Sequence, residues 1–333
     1  MNRPIPNGPW HSDPGRCRTG RGLAWEPKIP AEWRGVRRGP GPQGQRAGQA
    51  DAGGGGQAYG QPRRTDLSVV LGDGRLAVPV VAKAAEPGPV RAGYVAYGQL
   101  PLPIPGPVAL GRPAAGFPWP WSVYRWIQGE PACLGQVADL AGFAADLAGF
   151  LAALYGIDAS GGPPPGRHSA FRGGPLTTWD EQTRTAIDLL AQDIDARAAI
   201  GVWDRALASS WQQRPVWVHG DVAASNLLLS GGALHAVIDF GCAAAGDPAC
   251  DLVMAWTFFP GQAAAVFRRR LPFGEATWAR ARGWALWKAL VTLSGAKHGG
   301  DGGQAAARRF GWRYSPRQII GRVITDHARP TGH

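Results

Sequence analysis

Residues 216–252 read VWVHGDVAASNLLLSGGALHAVIDFGCAAAGDPACDL. Val216-Trp217-Val218 is a short apolar run of the kind that makes a buried strand, and it delivers His219-Gly220-Asp221 at its end. Asn226 to Ser230 reads as a second strand, Gly231-Gly232 as a tight hairpin turn and Ala233 to Phe240 as the returning strand. Asn226 opens one arm of that hairpin and Asp239, in Asp239-Phe240-Gly241, closes the other. Two hard oxygen donors thirteen residues apart thereby become neighbours, beside a third at Asp221. Each triplet alone is compatible with an ordinary turn, because short motifs recur by chance. The order, the spacing and the intervening hairpin together point to a built site.

His-Gly-Asp, an Asn five residues after the Asp and a later Asp-Phe-Gly match the protein-kinase catalytic set, with Gly in place of Arg. With the Gly246-Asp247-Pro248 turn and Asp251-Leu252 added, the segment resembles the aminoglycoside phosphotransferase-like family of small-molecule kinases. That resemblance implies an α+β, protein-kinase-like two-lobe fold, with a small β-rich lobe and a larger helical lobe. It implies that Asp221 is the catalytic base, orienting an acceptor hydroxyl and taking its proton, while Asn226 and Asp239 hold Mg²⁺ on the phosphates of ATP. No His/Cys cluster competes for a metal, and hard oxygen donors suit Mg²⁺. His219, Asp247 and Asp251 are expected to support the catalytic loop structurally, Gly-Asp-Pro being also an ordinary turn before a helix.

Working outward, Leu134 to Tyr155 has apolar residues at three- and four-residue steps and reads as an amphipathic helix packed on the core. Thr178 to Leu207 reads as helical and carries Asp180, Glu181, Asp188, Asp193 and Asp195. These acids suit either a solvated helix face or a site for a cationic acceptor. Asp251 to Phe259 and Glu275 to Leu293 also read as helices. Trp278, Trp284 and Trp287 on the latter are compatible with core packing or with an acceptor pocket.

Toward the N-terminus, Asp66 to Leu71 and Ala77 to Ala82 read as strands, and Val108 to Gly111 with Pro118 to Ile127 as a further pair. By the family resemblance, Tyr124, Arg125 and Trp126 form the hinge beneath the nucleotide base; an aromatic edge strand is the plainer reading. The same resemblance leads to the expectation of an Arg or Lys where Val70 stands. Lys83, Glu86 and the glycines from Gly53 to Gly60 substitute poorly for the phosphate-binding parts of a small lobe. A chain lacking those parts, through decay or a disturbed reading frame upstream of Leu100, would retain at most nucleotide binding.

Residues 1–64 are rich in Gly, Pro and Arg without periodicity, a composition expected to be disordered. They carry eleven Lys or Arg against four Asp or Glu, so most of the net charge of +11 sits there. Such a tail can bind anionic surfaces, but it lacks the alternation of aromatic and basic residues of a nucleic-acid platform, so nucleic acid is not expected as a partner. The remainder divides into a small-lobe segment with the hinge (65–130) and a helical lobe with the catalytic loop and hairpin (131–328). No apolar run reaches membrane-spanning length, no signal peptide is evident, and a cytoplasmic enzyme is the expectation. The four cysteines are scattered, which favours thiols over disulfides or a zinc site. The expected partners are a nucleotide and a small hydroxyl acceptor, aminoglycoside-like or related, in the manner of antibiotic resistance enzymes.

Overall fold

The structure, a computed structural model, describes residues 65–71, 74–80, 98–111, 121–133, 135–299, 307–308 and 310–329. The expected tail, Lys83, Glu86 and the glycines from 53 to 60 lie outside these residues. Two compact units are present. In the first, β1 (Thr65–Leu71) and β2 (Gly74–Val80) form an antiparallel ribbon paired from Thr65 with Val80 to Leu71 with Gly74. β3 (Pro107–Gly111) and β4 (Trp121–Arg125) complete a four-stranded sheet in the order β1-β2-β4-β3. A register shift between Pro107 and Ala109 interrupts the β3–β4 ladder, as expected where proline cannot donate to it.

The second unit is mainly helical. β5 (Glu130–Pro131), β7 (Leu227–Ser230) and β8 (Ala233–Val237) form one small sheet; β6 (Val216–Val218) and β9 (Ala244–Gly246) form another. β9 was not expected from the sequence, since Ala-Ala-Gly carries no strand signal; its pairing to β6, from Val216 with Gly246 to Val218 with Ala244, supplies it. The hairpin turn is as expected: Gly231 and Gly232 both have positive φ, 60° and 79°, the conformation that two-residue loops between twisted strands require.

α1 (Leu140–Gly156) buries Phe143, Leu147, Phe150, Leu151 and Leu154. It begins later than the apolar pattern suggests because Asp139 caps it, accepting a hydrogen bond from the Ala141 N–H at 2.9 Å, and so stops the helix from extending backward. The helix expected over 178–207 is broken in two, α2 (Asp180–Leu189) and α3 (Ala196–Leu207). Asp195 explains the break, since its carboxylate accepts from Ala198 N–H at 2.9 Å and starts a new helix. Residues 248–253 form a 3-10 helix leading into α4 (Met254–Thr257), followed by α5 (Gly261–Arg270), α6 (Glu275–Gly299) and α7 (Pro316–His327). Trp278, Trp284 and Trp287 of α6 are buried, and Trp287 stacks on Trp179 at 4.7 Å between ring centroids. They are core residues, each burying a large apolar area.

The α+β architecture is therefore as expected, with a small sheet unit and a larger helical one. Cys133, Cys242 and Cys250 are thiols. Among the described residues, no helix is long and apolar enough to cross a membrane.

Candidate active site

β6 carries the chain to His219, whose backbone N–H and that of Gly220 donate to the two oxygens of Asp251, each at 2.8 Å. Asp251 is fully buried. Burial pushes its carboxyl up, and the two N–H donors oppose that. The ring of His219 is also fixed. Its Nδ1 accepts the Asp221 N–H at 3.2 Å, so the proton resides on Nε2, which donates to the Ile238 carbonyl at 2.9 Å. Gly220 has φ of 78°, and a Cβ there would lie 2.3 Å from the Cys242 carbonyl oxygen. No other residue fits that place without moving the chain, which accounts for glycine between His219 and Asp221.

The side chain of Asp221 remains about one-third exposed (32%). Its Oδ1 meets two cations, Arg172 Nη1 at 3.2 Å and Lys288 Nζ at 3.3 Å. Among the described residues, its Oδ2 faces only the Asn226 amide nitrogen, at the long distance of 3.4 Å. Burial raises the pKa of Asp221, but Lys288 and Arg172 outweigh it and hold the carboxyl well below the usual carboxylate range. The group is an anion at neutral pH with one oxygen turned away from its cationic partners.

Asn226 donates from Nδ2 to the Asp221 backbone carbonyl at 2.9 Å, which directs its amide oxygen elsewhere. Its own carbonyl accepts the Ile238 N–H at 2.9 Å, so the hairpin register brings Asn226 beside the residue preceding Asp239. Asp239 has φ of 64° and ψ of 65°, left-handed backbone that costs a non-glycine residue about 1–2 kcal/mol. Its carboxylate is turned back onto the Gly241 N–H at 3.2 Å. The amide oxygen of Asn226 and the carboxylate of Asp239 are both hard donors and suit Mg²⁺. Among the described residues no cluster of three His, Cys, Asp or Glu forms. An ion held by Asn226 and Asp239 would need further oxygen ligands, which water and phosphate can supply to Mg²⁺.

Asp247 is saturated. Its Oδ2 accepts Arg280 Nε at 2.6 Å, and its Oδ1 accepts Arg280 Nη2 at 3.3 Å and the Ala249 N–H at 3.1 Å. Tyr124 and Arg125 close β4 of the first unit, and Trp126 follows it with 39% of its surface exposed. Of the acids on the helices after residue 178, Asp180 accepts Arg184 and Trp203, Asp193 pairs with Arg317, and Asp195 caps α3. These three make structural contacts and do not gather at Asp221.

Arg172 and Lys288 were not expected from the sequence. Arg172 is delivered by a loop in which both Ala170 and Phe171 have left-handed backbone, with φ of 55° and 56°, and its Nη1 also donates to the Gly220 carbonyl at 2.6 Å. Strain of this kind persists where surrounding contacts hold it. The available signal for Lys288 is a lone cation inside the apolar run of α6, between Trp287 and Leu290.

The model of the family described as phosphotransferase enzyme family matches residues 90–284. The chain belongs to the phosphotransferase enzyme family. The matched region includes the catalytic loop, the hairpin and Asp251, whereas Lys288 lies beyond it. No curated protein matches the chain in sequence. Among solved structures, the chain is similar to the GDP complex of wild-type aminoglycoside 2'-phosphotransferase-IIIa, at 17% identity over 81% of this chain and 92% of that one, with a TM-score of 0.49. It is also similar to the macrolide 2'-phosphotransferase MphH from Brachybacterium faecium, at 18% identity over 72% and 85%, TM-score 0.47. A thermostable mutant of aminoglycoside phosphotransferase APH(4)-Ia is 20% identical over 79% and 95%, TM-score 0.47.

Proposed function

We propose that this phosphotransferase moves the γ-phosphoryl group of ATP to a hydroxyl of a small molecule, with Asp221 as base. The observation that carries the reading is the division of labour within one carboxylate. Oδ1 is held by Arg172 and Lys288, while Oδ2 has only a 3.4 Å approach from Asn226. An acceptor hydroxyl donating to Oδ2 would be oriented by a carboxylate whose rotation is blocked. A strongly ionised Asp221 is a weak proton acceptor, which suits a loose transition state in which positioning and charge matter more than early proton removal. The proton would leave the acceptor late, for Oδ2 and then for solvent.

Asn226 and Asp239 are the residues to hold Mg²⁺, which when bound neutralises charge on the nucleotide phosphates. His219 acts on the backbone. Its fixed tautomer ties the loop to Ile238, next to Asp239, and keeps base and hairpin in register. Tyr124, Arg125 and Trp126 are proposed to receive the nucleotide base.

The test is turnover of ATP against a panel of neutral, cationic and anionic hydroxyl compounds, with Asp221→Asn as control. Loss of rate on the order of 10²- to 10⁴-fold, the usual contribution of a positioned base, with ATP still raising the melting temperature, is the expected result. Undiminished turnover by Asp221→Asn would remove Asp221 from the mechanism. An enzyme that binds ATP yet transfers nothing, even as wild type, would favour a chain reduced to nucleotide binding.

A further inference from the structure

Asp221 is one carboxylate with two cations on the same oxygen. Arg172 alone would neutralise it. Its guanidinium is buried, its loop is strained into place, and its Nη1 bridges the Gly220 carbonyl and Asp221 Oδ1 at 2.6 and 3.2 Å. Arg172 is thus a rigid orienting group. Lys288 adds a second positive charge beside it, and two like charges meeting at one oxygen repel. A purely structural role does not require that arrangement: one carboxylate oxygen carries both cations.

Lys288 is also built differently. It reaches from α6 on a flexible stem, and its contact with Asp221 at 3.3 Å is longer than the 2.7–2.9 Å or so of a strong charge-assisted bond. Its ammonium lies 4.8 Å from the ring centre of Phe310 and 6.0 Å from that of Trp312. Ring faces hold a cation without consuming its N–H donors. The segment bearing those rings rests on the catalytic loop: a Cβ at Gly311 would lie 2.7 Å from the Ser225 nitrogen. The ammonium is therefore held at the base by a weak ionic contact and two aromatic faces, with donors left to offer.

We propose that Lys288 is a catalytic residue that binds the phosphoryl group in flight. The proposal rests on the phosphotransferase reading of Asp221. In that reaction the acceptor oxygen forms a bond to the γ-phosphorus while the bond from phosphorus to the β–γ bridging oxygen breaks. The electron pair of the broken bond stays on ADP, and the acceptor proton passes to Asp221 Oδ2. Charge spreads over three equatorial oxygens of the phosphoryl group, next to the attacking hydroxyl and hence next to the base. A lysine touching the base needs only a short swing of its stem to donate a hydrogen bond to one of those oxygens, and the step balances without its giving up a proton. Lys288 would so supply a phosphate-side cation from within the helical unit.

The experiment uses the full chain and needs no acceptor. Melting temperature is measured with ADP and Mg²⁺, then with aluminium fluoride added, whose complex with ADP mimics the planar phosphoryl group. Wild type is expected to gain a further upward shift with fluoride. Lys288→Met should keep the ADP shift and lose most of the fluoride increment, an apparent weakening of tenfold or more, and Lys288→Arg should recover part of it. Lys288→Gln, closer in polarity, serves in the same way if the methionine variant does not fold. An undiminished increment in Lys288→Met or Lys288→Gln overturns the proposal, as does a wild type that responds to ADP but not to fluoride; both leave the phosphotransferase reading standing. A wild type with no response to ADP removes that reading, and this proposal with it.

Discussion

Asp221, in the loop after β6, and Asp251, which accepts the backbone N–H groups of that loop, are satisfied in opposite ways. Asp251 is fully buried and spends both oxygens on backbone N–H groups of His219 and Gly220. Asp247, a few residues before it, likewise spends both, on Arg280 and the Ala249 N–H. Asp221 is part-exposed, loaded with cations on one oxygen and nearly bare on the other. A carboxylate that holds a fold is saturated by the protein. Asp221, the proposed base, keeps an oxygen for the substrate. The contrast separates three aspartates that are indistinguishable as residue types.

The sharpest way to break this comparison is to remove the brace. Asp251→Ala orphans two buried N–H donors at about 1–3 kcal/mol each, so a loss of about 4 kcal/mol is expected in urea or thermal unfolding. Asp221→Asn should cost far less stability while removing activity. If the two variants lost stability equally, the division into structural and chemical carboxylates would not hold.

The next largest effect is expected at the other saturated carboxylate. Arg280→Met leaves Asp247 buried and without its partner, a change that costs about 3–5 kcal/mol when a buried pair is broken. The Ala249 N–H still donates to Asp247, which favours the lower end of that range. Phosphoryl transfer in the surviving folded fraction should be near normal, because Arg280 and Asp247 touch neither Asp221 nor Asn226. A large fall in rate per folded molecule would show that the brace reaches the chemistry.

What could be read from sequence, and what could not, follows the same divide. The catalytic loop and hairpin are local: Asp221 and Asn226 are five residues apart, and a Gly-Gly turn sets the register that brings Asn226 to Ile238. Periodicity and turn chemistry suffice there. Arg172 and Lys288 lie 49 and 67 residues from Asp221, and only tertiary folding brings them to it. Helix ends failed for a nearer reason. Asp139 lies inside the apolar pattern read as one helix, and Asp195 inside the acidic stretch read as another, whereas each is a cap that stops or starts a helix. β9 has no side-chain signal at all and exists because β6 needs a partner.

A third type of carboxylate, remote from the loop, gives the smallest of these effects and a pH signature. Asp326 on α7 accepts Arg268 at 2.5 Å, Arg282 at 3.1 Å and the Trp256 indole N–H at 3.2 Å, all on one oxygen. Burial raises its pKa, but Arg268 and Arg282 prevail and the folded-state value lies below the ordinary one of 3.8. A depressed folded-state pKa means that the unfolded chain binds the proton first as pH falls. The stabilisation is therefore complete above the ordinary value and is lost as pH drops through the folded-state value. Asp326→Asn, with hydrogen bonds to a charged group worth about 1.5–3 kcal/mol at stake, should unfold at lower urea than wild type at pH 7. The gap between the two should narrow as pH falls below about 4, where the unfolded wild-type chain takes up the proton, and close once folded Asp326 is neutral too. A gap that stays constant down to pH 2 would mean that the charge of Asp326 contributes nothing, and that α7 is held to α5 and α6 by packing alone.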